Sequence, residues 1–248
     1  MTDLTCIITG HREGRLSVAS LRSFRIAIDE ARKAGISCQA LYVLDTPNEL
    51  TRQLFTRFCS EIDSDSSLIE VELGDQGKAR NMSIRQAKGR LTAFLDADDL
   101  WSRDWLARGV KFLEPLPETH IAHPEFNYFF EKQTAIYTHI DQESPEFDRD
   151  LLRFANYWDA LAICPTEIYR EFPFYPREID KGWAYEDWYW NCQTVDAGKV
   201  HKVVPDTVLF KRRQQQSQTI RASANKSMIR PTPLHRYNHA FFGAEALS

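Results

Sequence analysis

The stretch Leu91-Thr92-Ala93-Phe94-Leu95-Asp96-Ala97-Asp98-Asp99-Leu100-Trp101 passes from aliphatic, β-branched and aromatic residues straight into three carboxylates. Its apolar part suits a strand covered on both faces, and a core of that kind could not neutralise the acids. The acids therefore belong just beyond the end of a sheet. In open α/β sheets ligands collect outside the carboxyl ends of strands, and clustered carboxylates there suit a hard cation such as magnesium or manganese. The competing reading makes the cluster a loop start, with Asp99 capping the helix that follows.

Upstream, the pattern repeats. Leu4 to Thr9 is apolar and ends at Gly10-His11-Arg12-Glu13-Gly14, as a buried strand passing into a loop would. Leu16, Leu21, Phe24, Ile28 and Ala31 then recur at helical spacing up to Gly35. Ala40 to Leu44 makes a second strand ending at Asp45, and Leu50, Leu54, Phe55 and Phe58 mark a second helix. Leu68 to Leu73 reads as a third strand, and a helix through Ile84 and Ala87 to Gly89 delivers the chain into the Leu91 strand. Strands alternating with helices predict a mostly parallel, doubly wound sheet with right-handed crossovers.

Beyond Trp101 the pattern predicts a helix over Trp105 to Leu113, strand-like alternation from His120 to Ile140 and a helix over Leu151 to Trp158. A buried strand at Ala160 to Cys164, a short helix at Thr166 to Phe172 and a Pro- and Gly-bearing loop from Phe174 to Ala184 come next. A helix opens at Glu186-Asp187 and stops near Gly198, with strands at His201 to Val204 and Thr207 to Arg212. The remainder is polar. It contains Pro231, Pro233 and the low-complexity run Gln214-Gln215-Gln216.

Composition bounds the function. A chain of 248 residues with 43% hydrophobic and 27% charged residues suits one large globular α/β domain, and a net charge of −4 gives no footprint for nucleic acid. The five cysteines are odd in number and set among apolar residues, which suits reduced thiols in a cytoplasm. No stretch reaches the roughly 18 apolar residues of a membrane span. Peripheral contact with the inner face of a membrane stays compatible with this.

Taken in order, these motifs resemble the family 2 glycosyltransferases of the GT-A fold. The likeness is carried by the Glu13 loop after the first strand, by Asp45 ending the second, and by Gly77-Lys78-Ala79-Arg80-Asn81. Gln86-Ala87-Lys88-Gly89-Arg90 leading into the Asp96-Ala97-Asp98-Asp99 strand extends it, and Glu186-Asp187 in the second half completes it. The resemblance implies a GT-A (Rossmann-like) central sheet flanked by helices, with a smaller acceptor-side β/α portion. It places one domain over residues 1–215, with residues 1–100 as the nucleotide-sugar half and 101–215 as the acceptor half. Residues 216–248 become a tail that packs on or gates the site.

The residue roles implied by the resemblance make chemical sense. Transfer from a nucleotide sugar, a UDP sugar by this likeness, must stabilise a leaving diphosphate. A divalent cation (Mn2+ or Mg2+) held by Asp98, with Asp96 on the ribose or the metal, would do so, with Asp99 in support. Glu13, Asp45 and Arg80 fall on the donor side, Asp45 against an imide N–H of uracil and Arg80 against nucleotide or phosphate. Asp187 is the candidate base, opposite the leaving group, that takes the proton of a carbohydrate or glycolipid hydroxyl. Glu186, Trp183 and Trp188 fall on the acceptor side, the indoles as stacking faces. Many family members carry a His on the strand after the base, where this chain has Phe210-Lys211-Arg212-Arg213-Gln214. Arginine cannot ligate a metal, so Arg212 and Arg213 are read as phosphate partners.

Three rivals remain at this level. A haloacid-dehalogenase-type phosphatase also ends a strand in Asp-x-Asp, but it usually carries Thr or Val where this chain has Leu100. A nucleotidyltransferase would need a Gly-rich basic loop after the first strand, which is absent. A non-catalytic nucleotide-sugar binder would have no use for Asp187.

Overall fold

Seven consecutive buried residues, Leu4–Gly10, form the first strand, β1, at the centre of the parallel half of the sheet. The computed structural model of the chain describes residues 2–61, 65–213 and 218–235. Strand β2 (Cys38–Asp45) lies on one side of β1 and β4 (Leu91–Asp96) on the other, with β3 (Ser66–Val71) outside β2, all parallel. Helices α1 (Ser17–Lys33), α2 (Glu49–Ser60) and α3 (Gln76–Ile84) make the crossovers. β1 and β2 are buried along their whole length, as their unbroken apolar runs require. Asn48 caps α2 by accepting from the Thr51 amide, and Asp75 caps α3 by accepting from that of Lys78.

Gly89 has a steric reason. A Cβ there would lie 2.4 Å from the Thr5 nitrogen and 2.6 Å from the Leu4 carbonyl carbon, so only glycine lets the chain enter β4 beside β1. Its amide donates to Thr5 Oγ1 at 2.8 Å.

The second half closes the sheet with mixed pairing. Its strands are β5 (Leu100–Trp101), β6 (His120–Glu131), β7 (Ala135–Thr138), β8 (Ile163–Pro165) and β9 (Val200–Arg213). Helices α4 (Trp105–Leu113), α5 (Thr166–Glu171), α6 (Glu186–Asp196) and α7 (Gln218–Ala224) accompany them. The described strands run β3-β2-β1-β4-β8-β6-β9-β5, with β7 added on β6. β6 and β9 are parallel, whereas β8 pairs antiparallel with both β4 and β6, and β5 with β9.

Several predicted boundaries move. The helix expected over Leu151 to Trp158 reduces to a 3-10 turn at Leu151–Arg153, and Tyr157 and Trp158 pack into a hydrophobic cluster from backbone without regular structure. Trp158 donates to the Ile140 carbonyl and stacks on His201 with ring centroids 4.1 Å apart. The alternating stretch after His120 folds into the β6–β7 hairpin, turning through Glu131 at φ 77°. The two strands expected at His201 and Thr207 are one, since Asp206 takes a positive φ of 56° and β6 shifts register between Pro124 and Phe126. Asp99 caps no helix; Asp104 precedes α4.

Of the tail, the described part runs along the 178–184 loop. The Ala184 amide donates to the Met228 carbonyl, that of Met228 to Gly182, and Arg153 Nε to Leu234. The Gln214 run and residues 236–248 lie outside the described residues. No helix among the described residues is long and apolar enough to cross a membrane.

Candidate active site

The tip of β4 opens onto a cleft of about 150 Å³ whose walls include Arg80, Asp96, Arg177, Glu186, Asp187 and Lys211. Residues far apart in sequence meet here because β4 and the start of α6 face each other across it. Asp96 Oδ1 accepts from Gln76 Nε2 at 2.5 Å, Arg80 at 2.7 Å and Thr9 Oγ1 at 3.1 Å. Burial would raise its carboxyl, but Arg80 and Lys211 outweigh that and hold it below the usual range.

Arg80 is buried on α3 between the rings of Phe94 and Phe174, 5.8 and 5.4 Å from their centroids. Besides Asp96 it pairs with Glu186 Oε1 at 3.6 Å. Glu186 is buried too, and Arg177 holds it bidentately, with Nε 2.6 Å from Oε2. Arg177 also donates to Gln76 Oε1 at 2.8 Å, and its amide to Asp75 Oδ2 at 2.9 Å. Glu186 thus faces two arginines.

Asp187 stands next to it on the cleft wall. Tyr185, at φ 61° and ψ 57°, turns the chain through the left-handed region to start α6 and presents Glu186 and Asp187 on its first turn. Asp187 Oδ1 accepts from the Trp188 amide at 2.9 Å, and Asn156 Nδ2 lies 3.5 Å from Oδ2. Burial, then the charge of Glu186, pushes its carboxyl up to about 6. A carboxylate poised there suits a general base.

The other acids at the β4 tip are held differently. Asp99 is buried, accepting from the Arg212 amide at 2.9 Å and pairing with Lys211 Nζ at 3.1 Å. Asp98 is half-buried, and burial followed by the charges of Asp99, Asp96 and Glu13 raises its carboxyl well above the usual range. Such crowding of negative charge is what a divalent cation relieves. Among the described residues no group of three or more His, Cys, Asp or Glu forms a cage. A cation held at Asp98 would have only one or two carboxylates from the chain, the number a magnesium-type ion takes alongside phosphate and water.

The remaining predicted residues lie further out. Asp45 is buried at the end of β2, where its carboxylate accepts from the amides of Leu73, Gly74 and Asp75 at 2.7 to 2.9 Å and so pins the loop that starts α3. Oδ2 takes only one of these bonds, leaving it a lone pair for a ligand. Glu13 Oε2 accepts from the His11 amide at 2.7 Å, and burial raises its carboxyl. Arg212 Nε donates to the Asp98 carbonyl at 3.0 Å, its guanidinium pairs with Glu131, and Arg213 stacks on Phe129 at 4.0 Å. Trp188 donates to the Leu152 carbonyl and packs on the second hydrophobic cluster, and Trp183 forms backbone bridges with Glu178 and Met228. Neither indole lines the cleft.

Sequence reasoning passed over Lys211, Asp159, Arg177 and Gln76, all on the cleft wall. Lys211 stands in sequence beside Arg212 and Arg213, and only its pairing with Asp99 marks it out. Arg177 sits in an irregular loop, where no periodicity marks its direction.

Against this geometry the sequence comparison is decisive: residues 25–175, well over half of the chain, match Glycosyl transferase family 2. The chain belongs to glycosyl transferase family 2. Among curated proteins it is 31% identical over 98 residues to protein y4gI of Sinorhizobium fredii, covering 40% of this chain and 10% of that protein. It is 26% identical over 76 residues to the poly(ribitol-phosphate) beta-N-acetylglucosaminyltransferase TarS of Staphylococcus aureus, covering 31% of this chain and 13% of TarS. The chain therefore spans only a small part of these relatives.

Solved structures agree on the fold of this family member. TarS residues 1-349 with UDP-GlcNAc superimpose with a TM-score of 0.64 at 15% identity, covering 88% of this chain and 61% of that one. The mannosyltransferase PcManGT of Pyrobaculum calidifontis, with GDP-Man and Mn2+, gives 0.60 at 19% identity, covering 86% and 58%. The family 2 chain accordingly has a GT-A-like architecture, a mixed α/β sheet flanked by helices.

Proposed function

We propose that this chain is an inverting glycosyltransferase, moving a sugar from a nucleoside diphosphate sugar to a carbohydrate or glycolipid hydroxyl with Asp187 as base. The observation that carries this reading is Asp187 itself, a carboxyl pushed up to about 6 on the wall of the cleft that the Asp96 cluster also lines. Displacement at the anomeric carbon needs a base on the face opposite the leaving group, and Asp187 is ionised and within the same cleft. Glu186, held by Arg80 and Arg177, fixes the turn that presents it.

On the donor side Asp45 and Glu13 border the base and ribose region, and Asp96 is oriented by Arg80, Gln76 and Thr9. Asp98 would hold a divalent cation, which supplies charge neutralisation to the leaving diphosphate when bound. UDP is the favoured nucleotide because TarS is similar in fold and has been solved with UDP and UDP-GlcNAc; the GDP-Man complex of PcManGT makes GDP the comparison.

Asp187→Asn should lower transfer by about 10²-fold or more while UDP affinity stays within a few-fold, measured by turnover and calorimetry. Unchanged turnover would remove Asp187 as base. For the cation, UDP affinity should rise with manganese in the wild type, and Asp98→Ala should lose that gain. Equal affinity in all four measurements would contradict a metal held at Asp98.

A further inference from the structure

Lys211 lies on β9 with its ammonium between two acids from different parts of the chain. Nζ is 3.1 Å from Asp99 Oδ2 and 3.3 Å from Asp159 Oδ2. Both carboxylates are themselves fixed. Asp99 accepts from the Arg212 amide at 2.9 Å, and Asp159 from the Leu161 amide and Asn127 Nδ2, each at 2.9 Å. The ammonium is therefore held in place before any ligand arrives.

An ammonium has three N–H donors and spreads its charge over all of them, so two flanking carboxylates leave it able to donate to a ligand. The other cations on the cleft wall are differently placed. Arg80 is committed to Asp96 and Glu186, and Arg177 to Glu186 and Gln76. Side-chain exposure separates them further: 20% for Lys211 against 3% for Arg80 and 12% for Arg177. Lys211 is the cleft cation that a ligand reaches most easily, and it stands beside the carboxylates that would otherwise repel a diphosphate.

We propose that Lys211 is a diphosphate-binding residue of this cleft, giving an N–H to a phosphate oxygen of the donor. This rests on the nucleotide-sugar reading above. As the bond from the anomeric carbon to the diphosphate oxygen breaks and the bond to the acceptor oxygen forms, the acceptor proton passes to Asp187. Lys211 keeps its own proton and neutralises part of the charge that collects on the leaving group. A fixed protein cation of this kind would act alongside any divalent ion that Asp98 holds.

The alternative is that Lys211 only balances Asp99 and Asp159, and the phosphate dependence of binding separates the two. UDP, uridine and inorganic pyrophosphate are titrated against wild type and Lys211→Met at saturating manganese. A second variant pairs Lys211→Met with Asp159→Asn, so that one buried acid is not left unpaired if the single variant folds poorly. UDP and pyrophosphate should bind about 10- to 100-fold more weakly to either variant, with uridine changing less than about threefold. Lys211→Arg should recover part of the loss. Equal weakening of UDP and uridine, or no weakening, would overturn the proposal. A wild type that takes pyrophosphate in a Lys211-dependent way but neither UDP nor GDP would sink the nucleotide-sugar reading and leave Lys211 in place. Binding of none of these probes would overturn both.

Discussion

The Glu186-Asp187 pair shows how two adjacent carboxylates are driven to opposite states. Arg177 and Arg80 hold Glu186 below its usual range against its burial, whereas burial and the charge of Glu186 raise Asp187 to about 6. A base must be ionised to act. Turnover should therefore fall about tenfold per pH unit below about 6 and level off above it, read from the acid limb of the kcat profile. A limb nearer 4 would mean that Asp187 sits in water when substrate is bound. Much of this was legible, because an acid pair opening a helix after aromatic residues is visible in Glu186 and Asp187 themselves. The direction of Glu186 was not, since Arg177 is nine residues upstream in an irregular loop.

At the level of elements, long apolar runs told the truth and short pairings hid. β1, β2 and β4 fall where their unbroken burial required, whereas α3 stops at Ile84, short of the Gly89 to which its helix was expected to run. β5 is two residues long and exists only through Phe210 and Leu209 on β9, so no local pattern could announce it. The Leu151 to Trp158 segment looked helical because its apolar residues are closely spaced, but Trp158 is drawn to His201 instead. Gly89 provides the test at this scale. A methyl there meets the backbone of Leu4 and Thr5 rather than a yielding side chain, so β4 could not lie beside β1 without a shift. Gly89→Ala should cost about 2 kcal/mol or more, seen as a lower denaturation midpoint with an unchanged slope. A variant as stable as wild type would mean that this approach is looser than the geometry implies.

Across the whole molecule, one of the places where residues 1–100 meet the later segments through charge is the cleft wall on which Arg177 reaches Gln76 and Asp75, and Arg80 reaches Glu186. Partners some hundred residues apart cannot be paired from one sequence, which is why this bridge escaped notice although each motif was seen. Its removal should act on stability and chemistry together. Arg177→Met leaves Glu186 buried with Arg80 alone, and breaking a buried pair in this way costs about 3–5 kcal/mol. At roughly 2–4 °C per kcal/mol for a chain of this size, the melting temperature should drop by about 10 °C. Arg177 also lowers the Asp187 carboxyl, so its loss should move the acid limb of kcat upward from about 6. Glu186→Gln removes the charge that raises Asp187, and should move the limb downward. The double variant, with neither charge, should recover part of the melting temperature lost in Arg177→Met. Opposite movements of the limb would tie the contact between the two parts of the chain to the base. A limb that stays near 6 in both single variants would detach it.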